Sequence, residues 1–195
     1  MTRVTVAGRV APVLAAALLL GACSSAVPTE TPNVSQAGET VLLYKGPELE
    51  AALSYRFARN NPGEEWLLLD FGVTGTANVS VEIPRDRIWL RTPAGEIVPL
   101  ATQQEFGSAY PQLASTIRRA GIGREPLDYF RALRPCNLGL FTAPGEGLAL
   151  LSVWVSNREA CFGWLFFHPP GGVTSGHYVL GIDLPESKVR IPFKL

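Results

Sequence analysis

The chain has 195 residues, with 17 basic and 17 acidic side chains and two histidines. This balance excludes the electrostatic footprint of a nucleic-acid binder, and the length suits one domain once a short leader is set aside. Glycine and proline are frequent, at 19 and 16 residues, and they punctuate alternating apolar segments, the pattern of an all-β domain with many turns.

The first residues, MTRVTVAGR, carry Arg3 and Arg9, and an apolar run from Val10 to Ala22 follows over 13 residues. A membrane span needs about 20 apolar residues. A basic start, a short apolar core and small residues before a cut site describe a secretory signal instead. The run ends at Leu20-Gly21-Ala22-Cys23, which resembles the lipobox of bacterial lipoproteins. The resemblance covers the first 23 residues. It implies that the Cys23 thiol receives a diacylglyceryl group, that the bond before it is cut, and that Cys23 becomes the first residue. The membrane is then the first partner, through several acyl chains on one cysteine, each buried methylene contributing about 0.8 kcal/mol. Ser24 stands where an aspartate would favour the inner membrane in that family, so the resemblance implies a bacterial cell-envelope location, lipid-anchored in the outer membrane and facing the periplasm in a diderm host, or on the outer face of the single membrane in a monoderm one. Residues 1–22 read as signal peptide, 23–40 as lipidated cysteine and flexible tether, and 41–195 as a single β-sandwich domain. The segment Ser24–Glu39 is rich in Ser, Thr, Pro and Glu, and sixteen flexible residues reach roughly 20 Å.

Beyond residue 41, strands are expected where apolar side chains alternate: around Leu53, Tyr55 and Phe57; over Leu67, Leu69, Phe71 and Val73; and over Val79, Val81 and Ile83. Thr92-Pro93-Ala94-Gly95 is turn chemistry, so the segments around Arg87–Arg91 and Ile97–Leu100 read as a hairpin. The period then changes. Pro111 stands near an expected helix start, Leu113, Ala114, Ile117 and Ala120 share a helical face, and Gly121 suits its end. A second helical stretch follows Pro126, with Leu127, Tyr129, Phe130 and Leu133. Further strands are expected near Leu138–Phe141, Leu150–Val155, Cys161–Phe167 and His177–Leu184. The last strand puts Val189, Ile191, Phe193 and Leu195 on one face, and Pro192 suggests an edge. The expected fold is mainly β: a β-sandwich of about nine or ten strands with a short helical insertion near 102–134. In strand number and spacing it resembles the immunoglobulin-like sandwich modules of bacterial lipoproteins, although the cysteine spacing departs from the antibody pattern.

With Cys23 lipidated, Cys136 and Cys161 remain as one pair in a compartment that permits disulfides. A bridge between them closes a loop worth roughly 3–4 kcal/mol. A metal site would want closer cysteine spacing. His168 and His177 flank the loop HPPGGVTSGH; two imidazoles facing one another across it would need a third ligand to hold a metal, and no carboxylate lies in that loop, so no metal and no cofactor are expected. The nucleophile elbow G-x-S-x-G, the phosphate-binding P-loop and H-E-x-x-H are absent from the sequence, so no catalytic residue is assigned. Arg87, Trp89 and Arg91 share the outward side of their strand. An indole between two guanidiniums can hold anions or sugar faces. Trp66 and Trp154 also fall on the less apolar sides of their strands, to be covered by the helical insertion or left as a recognition surface, while Trp164 falls where both faces are apolar.

These features favour a non-enzymatic binding or assembly module of the envelope, with an envelope protein or cell-wall component as partner and no nucleic acid. Candidate contacts are Arg87, Trp89, Arg91, His168, His177 and the edge strand Val189–Leu195. The alternatives are a tethered hydrolase acting on wall or lipid polymers, which predicts carboxylates clustered in a cleft, and a carrier of a small apolar ligand, which predicts an apolar cavity between the sheets or beneath the insertion.

Overall fold

The computed structural model describes residues 32–122, 127–130 and 134–195. These form twelve strands: β1 (Val34–Gln36), β2 (Val41–Lys45), β3 (Leu49–Ser54), β4 (Leu67–Gly75), β5 (Val81–Pro84), β6 (Ile88–Arg91), β7 (Ile97–Pro99), β8 (Arg134–Asn137), β9 (Ser152–Val155), β10 (Glu159–Phe167), β11 (His177–Asp183) and β12 (Lys188–Lys194). A short helix, α1 (Arg56–Asn60), follows β3, and a long one, α2 (Gln103–Ile122), follows β7. The domain is mainly β, as its alternating apolar pattern requires.

Six strands line up as β1-β2-β3-β4-β10-β8 and four as β12-β11-β6-β7, while β5 pairs with β9 alone. Neighbours are antiparallel except β8 and β10. The six- and four-stranded sheets share one apolar core. Leu69, Phe71 and Val73 of β4 and Leu165 and Phe167 of β10 meet Ile88, Leu90, Leu180, Ile182 and Ile191, with Ile83, Val153 and Val155 of the smaller sheet joining the cluster. The six-stranded sheet is apolar on its other face too. There Trp66, Leu68 and Phe166 pack with Phe106, Leu113 and Ala120 of α2, and Val41 and Ala52 pack with Leu127. The helical insertion is therefore a cover for one sheet. Each large side chain it buries contributes about 1.5–3 kcal/mol.

α2 begins earlier than expected. Glu105 accepts hydrogen bonds from the Thr102 amide (2.7 Å) and hydroxyl, and the Glu105 amide donates to the Thr102 hydroxyl at 3.1 Å. This is a capping box, which satisfies amides that the first turn leaves without partners. Pro111 lies inside the helix rather than near its start. It removes the bond to the Gly107 carbonyl, and it sits on the exposed side of the helix.

Other expectations shift in register. β1 lies within the expected tether, so the folded part begins before residue 41. The strand expected to run through Tyr55 and Phe57 stops at Ser54 and turns into α1. The strand expected over Leu138–Phe141 forms instead at Arg134–Asn137; Leu138 and Leu140 are buried in the loop after it, where Gly139 has a φ of +63°. The second helical stretch is one 3-10 turn at Asp128–Phe130, and Pro126 and Leu133 lie outside the described residues. The β6–β7 hairpin forms as read, and β12 is an edge strand.

Cys136 and Cys161 stand opposite one another in the β8–β10 register, with their sulfurs at bonding distance and Cα atoms 4.4 Å apart. The pair ties the end of the insertion to the middle of the sheet. Replacing Cys136 by alanine removes about 3 kcal/mol of loop constraint and is expected to lower the melting temperature by roughly 6–12 °C under oxidising conditions. Calorimetry with and without reductant checks this, because wild type in reductant should fall to the level of the variant.

Candidate functional site

The outward face of the four-stranded sheet lacks a cover among the described residues. β11 turns Tyr178, Leu180 and Ile182 inward, which leaves His177, Val179, Gly181 and Asp183 outward; β12 does the same with Lys188, Arg190, Pro192 and Lys194. The register sets Pro99, Trp89, Gly181 and Arg190 in one row across β7, β6, β11 and β12. Gly181 makes this row possible. A Cβ there would stand 2.3 Å from the Trp89 ring, so the indole lies flat over the glycine backbone.

The indole is held on several sides. Its N–H donates to Asp183 Oδ2 at 2.9 Å. The Arg190 guanidinium donates to Asp183 Oδ1 and to the Val189 carbonyl, and its Cζ lies 4.5 Å from the Trp89 ring centre. Arg91 approaches to 5.7 Å. The indole thus stands between two guanidiniums, but the second is Arg190. Arg87 belongs to the 3-10 turn Arg85–Arg87 ahead of β6. It lines a groove of about 540 Å³ with Glu82, Pro84, Asp183, Leu184 and Lys188.

Burial alone would raise the Asp183 pKa. The hydrogen bonds from Arg190 and Trp89, with the charges of Arg190 and Lys188, outweigh it and hold the carboxyl below the usual aspartate range. Both oxygens accept hydrogen bonds, so Asp183 is a fastener for the indole rather than a base. With Arg190 balanced by Asp183, the positive charge near Trp89 comes from Arg91, 5.7 Å from its ring centre, and from Lys188, whose charge reaches Asp183. Such an array suits an anionic group laid beside a flat aromatic platform.

The histidines do not face one another. His168 ends β10's side of the loop and stacks on Trp66, with ring centres 4.8 Å apart and planes at 8°. Its Nε2 lies 3.0 Å from Glu65 Oε1. Both line a groove of about 720 Å³ at the start of α2, with Glu105 and Ser108. Hydrogen bonds from Thr102 hold the Glu105 carboxyl below its usual range, the nearby His168 adding to this against some burial. His177 begins β11 in the other sheet, opposite Lys194. The loop between them crosses from sheet to sheet instead of closing a hairpin. Among the described residues no three His, Cys, Asp or Glu side chains gather as a metal site.

Of the tryptophans, Trp66 is buried under α2 and Trp164 packs half-buried beside it, whereas Trp154 stays exposed opposite Glu82. Beneath α2 a pocket of about 290 Å³ is lined by Phe106, Tyr110, Ile117, Leu138, Phe141 and Trp164, with Asn137 and Glu146 also on its wall. Cys23 lies outside the described residues. Compared with known protein families, curated proteins and solved structures, the chain matches none.

Gly181, Asp183 and Arg190 escaped the sequence reading as site residues. The available signal was an isolated glycine inside the strand HYVLGID, which marks a close approach to the backbone. A carboxyl with a depressed pKa contributes stability above its unfolded value of about 3.9 and loses it as pH falls through the folded value. Thermal stability should therefore decline below about pH 4, and Asp183→Asn should flatten that acid limb while lowering stability at pH 7. Melting curves from pH 2 to 7 read both, and parallel curves for variant and wild type would contradict this role.

Proposed function

We propose that this is a lipid-anchored protein of the bacterial cell envelope, held through Cys23 in the outer membrane and facing the periplasm, whose domain is a non-enzymatic binding module. The observation that carries the reading is the unequal cover of the two sheets. The insertion buries the outer face of one sheet, while the outer face of the other presents Trp89 with Arg91 and Arg190 at its ring and Lys188 beside Asp183. A held aromatic platform rimmed by cations suits an anionic partner, either an acidic envelope protein or an anionic wall polymer. The two layers sharing one core support a β-sandwich; the immunoglobulin-like likeness rests on an expected nine or ten strands, and the twelve found, in sheets of six, four and two, depart from that number. The engagement of one Asp183 oxygen by Trp89 and of the other by Arg190 supports a binding role for this face over a hydrolytic one.

The test combines anchor and face. Cys23→Ser should move the protein from the membrane to the soluble fraction; continued retention would count against the anchor. Crosslinking in intact cells should capture a defined partner that Arg91→Glu with Lys188→Glu abolishes, since both side chains are exposed and leave the core intact. Capture unchanged by the double charge reversal would count against the face.

A second reading, carriage of a small apolar ligand, is favoured by the pocket beneath α2. Its volume is at the lower end of ligand sites, and most of its lining residues are aromatic or aliphatic, with Asn137, Glu146 and backbone groups making the exposed wall about as polar as apolar. Ile117→Trp should fill it and abolish binding of an environment-sensitive naphthalene dye, with the melting temperature retained; undiminished dye binding would remove this reading.

A further inference from the structure

The segment from Leu148 to Trp154 sets large apolar side chains where nothing among the described residues covers them. Leu148 is 94% exposed, Leu151 82% and Trp154 56%, and Val79 in the turn before β5 is 77% exposed. Scattered exposed leucines are ordinary, but several large apolar groups on adjoining segments mark an interaction site. The backbone keeps them outside. Val153 and Val155 belong to the core, so the alternation of β9 drives Trp154 outward. The Leu150 amide donates to the Gly139 carbonyl and the Leu151 carbonyl accepts from the Arg85 amide, which stops the loop from folding back over its own leucines.

The start of the folded chain indicates what meets this surface. Because β1 begins at Val34, only the ten residues Ser24–Asn33 separate Cys23 from the domain. A chain of ten residues spans at most about 36 Å. Asn33 lies at the end of the sheet where several turns gather. Its carbonyl accepts from the Lys45 amide, the Thr76 amide donates to the Glu48 carbonyl, and the Asn157 amide donates to the Ala77 carbonyl. Val79 and Trp154 adjoin these turns, since Val81 pairs with Val155; Leu151 and Leu148 follow one short strand away. A lipid on Cys23 would hold this end of the domain close to the bilayer.

We infer that Val79, Leu148, Leu151 and Trp154 form a membrane-docking patch that rests on the bilayer surface and fixes the orientation of the domain, an inference that builds on the anchor proposed above. The lipid supplies attachment and the patch supplies a second, weaker contact. An exposed indole suits the headgroup level, and apolar side chains beside it enter the acyl boundary as those of an interfacial segment do. The short tether keeps the local concentration of bilayer high, so a patch too weak to bind alone becomes effective.

The full-length lipidated protein, reconstituted into phosphatidylethanolamine and phosphatidylglycerol vesicles with brominated acyl chains, tests this. Part of the tryptophan fluorescence should be quenched, and Trp154→Phe should remove that part. Leu148→Asp with Leu151→Asp should cut the quenching at least about twofold while the protein still floats with the vesicles; these side chains are exposed, so folding is retained. An unquenched wild type, quenching equal in the double variant, or crosslinks between copies through this segment would overturn the docking. Mass spectrometry of Cys23 reads the anchor separately: an unmodified thiol overturns the anchor, whereas quenching indifferent to the leucines overturns only the patch.

Discussion

β4 and β10 are the strands on which the architecture depends, because both are covered on both faces: β10 is apolar on each, and β4 sets Leu68 with the buried polar Asp70 and Thr74 on the face turned away from the shared core. All nine residues of β4 are buried. A strand of this kind cannot sit at a water-facing surface without exposing a row of large side chains. Its inner face is met by the four-stranded sheet and its outer face needs a second layer, which α2 and the turn at Asp128–Phe130 provide. The position of the insertion follows from that need. The chain leaves β7 at the edge of one sheet, crosses to the back of the other as α2, and returns beside β10 as β8, where Cys136 meets Cys161.

Arg85 joins the layers where they would otherwise slip. Its guanidinium donates to the Ala101 carbonyl, just before α2, and lies 4.4 Å from the centre of the Phe141 ring. Burial lowers its pKa, and one of its nitrogens is buried without a hydrogen-bond partner. Removing a guanidinium from water carries a real cost, which attraction to the Phe141 face offsets in part. The benefit is geometric: one side chain locks the turn before β6, the start of α2 and the wall of the pocket beneath it.

Strands with one face toward the shared core were legible in the sequence because their period is two. The β6–β7 hairpin, β11 and β12 fall where alternation places them, and Pro192 marks the edge. Pro111 suits a first helical turn, but the helix starts at the Thr102-x-x-Glu105 capping box nine residues earlier, a signal also present in the sequence. Leu138 and Leu140 mimic a strand, yet the left-handed backbone of Gly139 breaks it. The Trp89 site was half legible. Alternation carried backward from Trp89 placed Arg87 beside it, but the chain there is a 3-10 turn. Arg190 and Asp183 reach the indole by strand order, and sheet order is not written in any local pattern.

The same cover that buries one sheet gives the other its character. With α2 committed to the back of β4 and β10, the outer face of the four-stranded sheet must be soluble on its own. Lysines and arginines at alternate positions of β12 meet that demand and also discourage pairing at an exposed edge. Solubility alone does not ask for an indole laid over a glycine and fastened by a carboxylate and a guanidinium. A large aromatic ring on a solvated face costs exposure unless something rests on it. Holding it in one orientation also removes the entropy that a partner would otherwise have to freeze out. Trp89 is therefore held on the uncovered sheet where Trp66 and Trp164 lie under the insertion, and the difference follows from which sheet the insertion was needed to close.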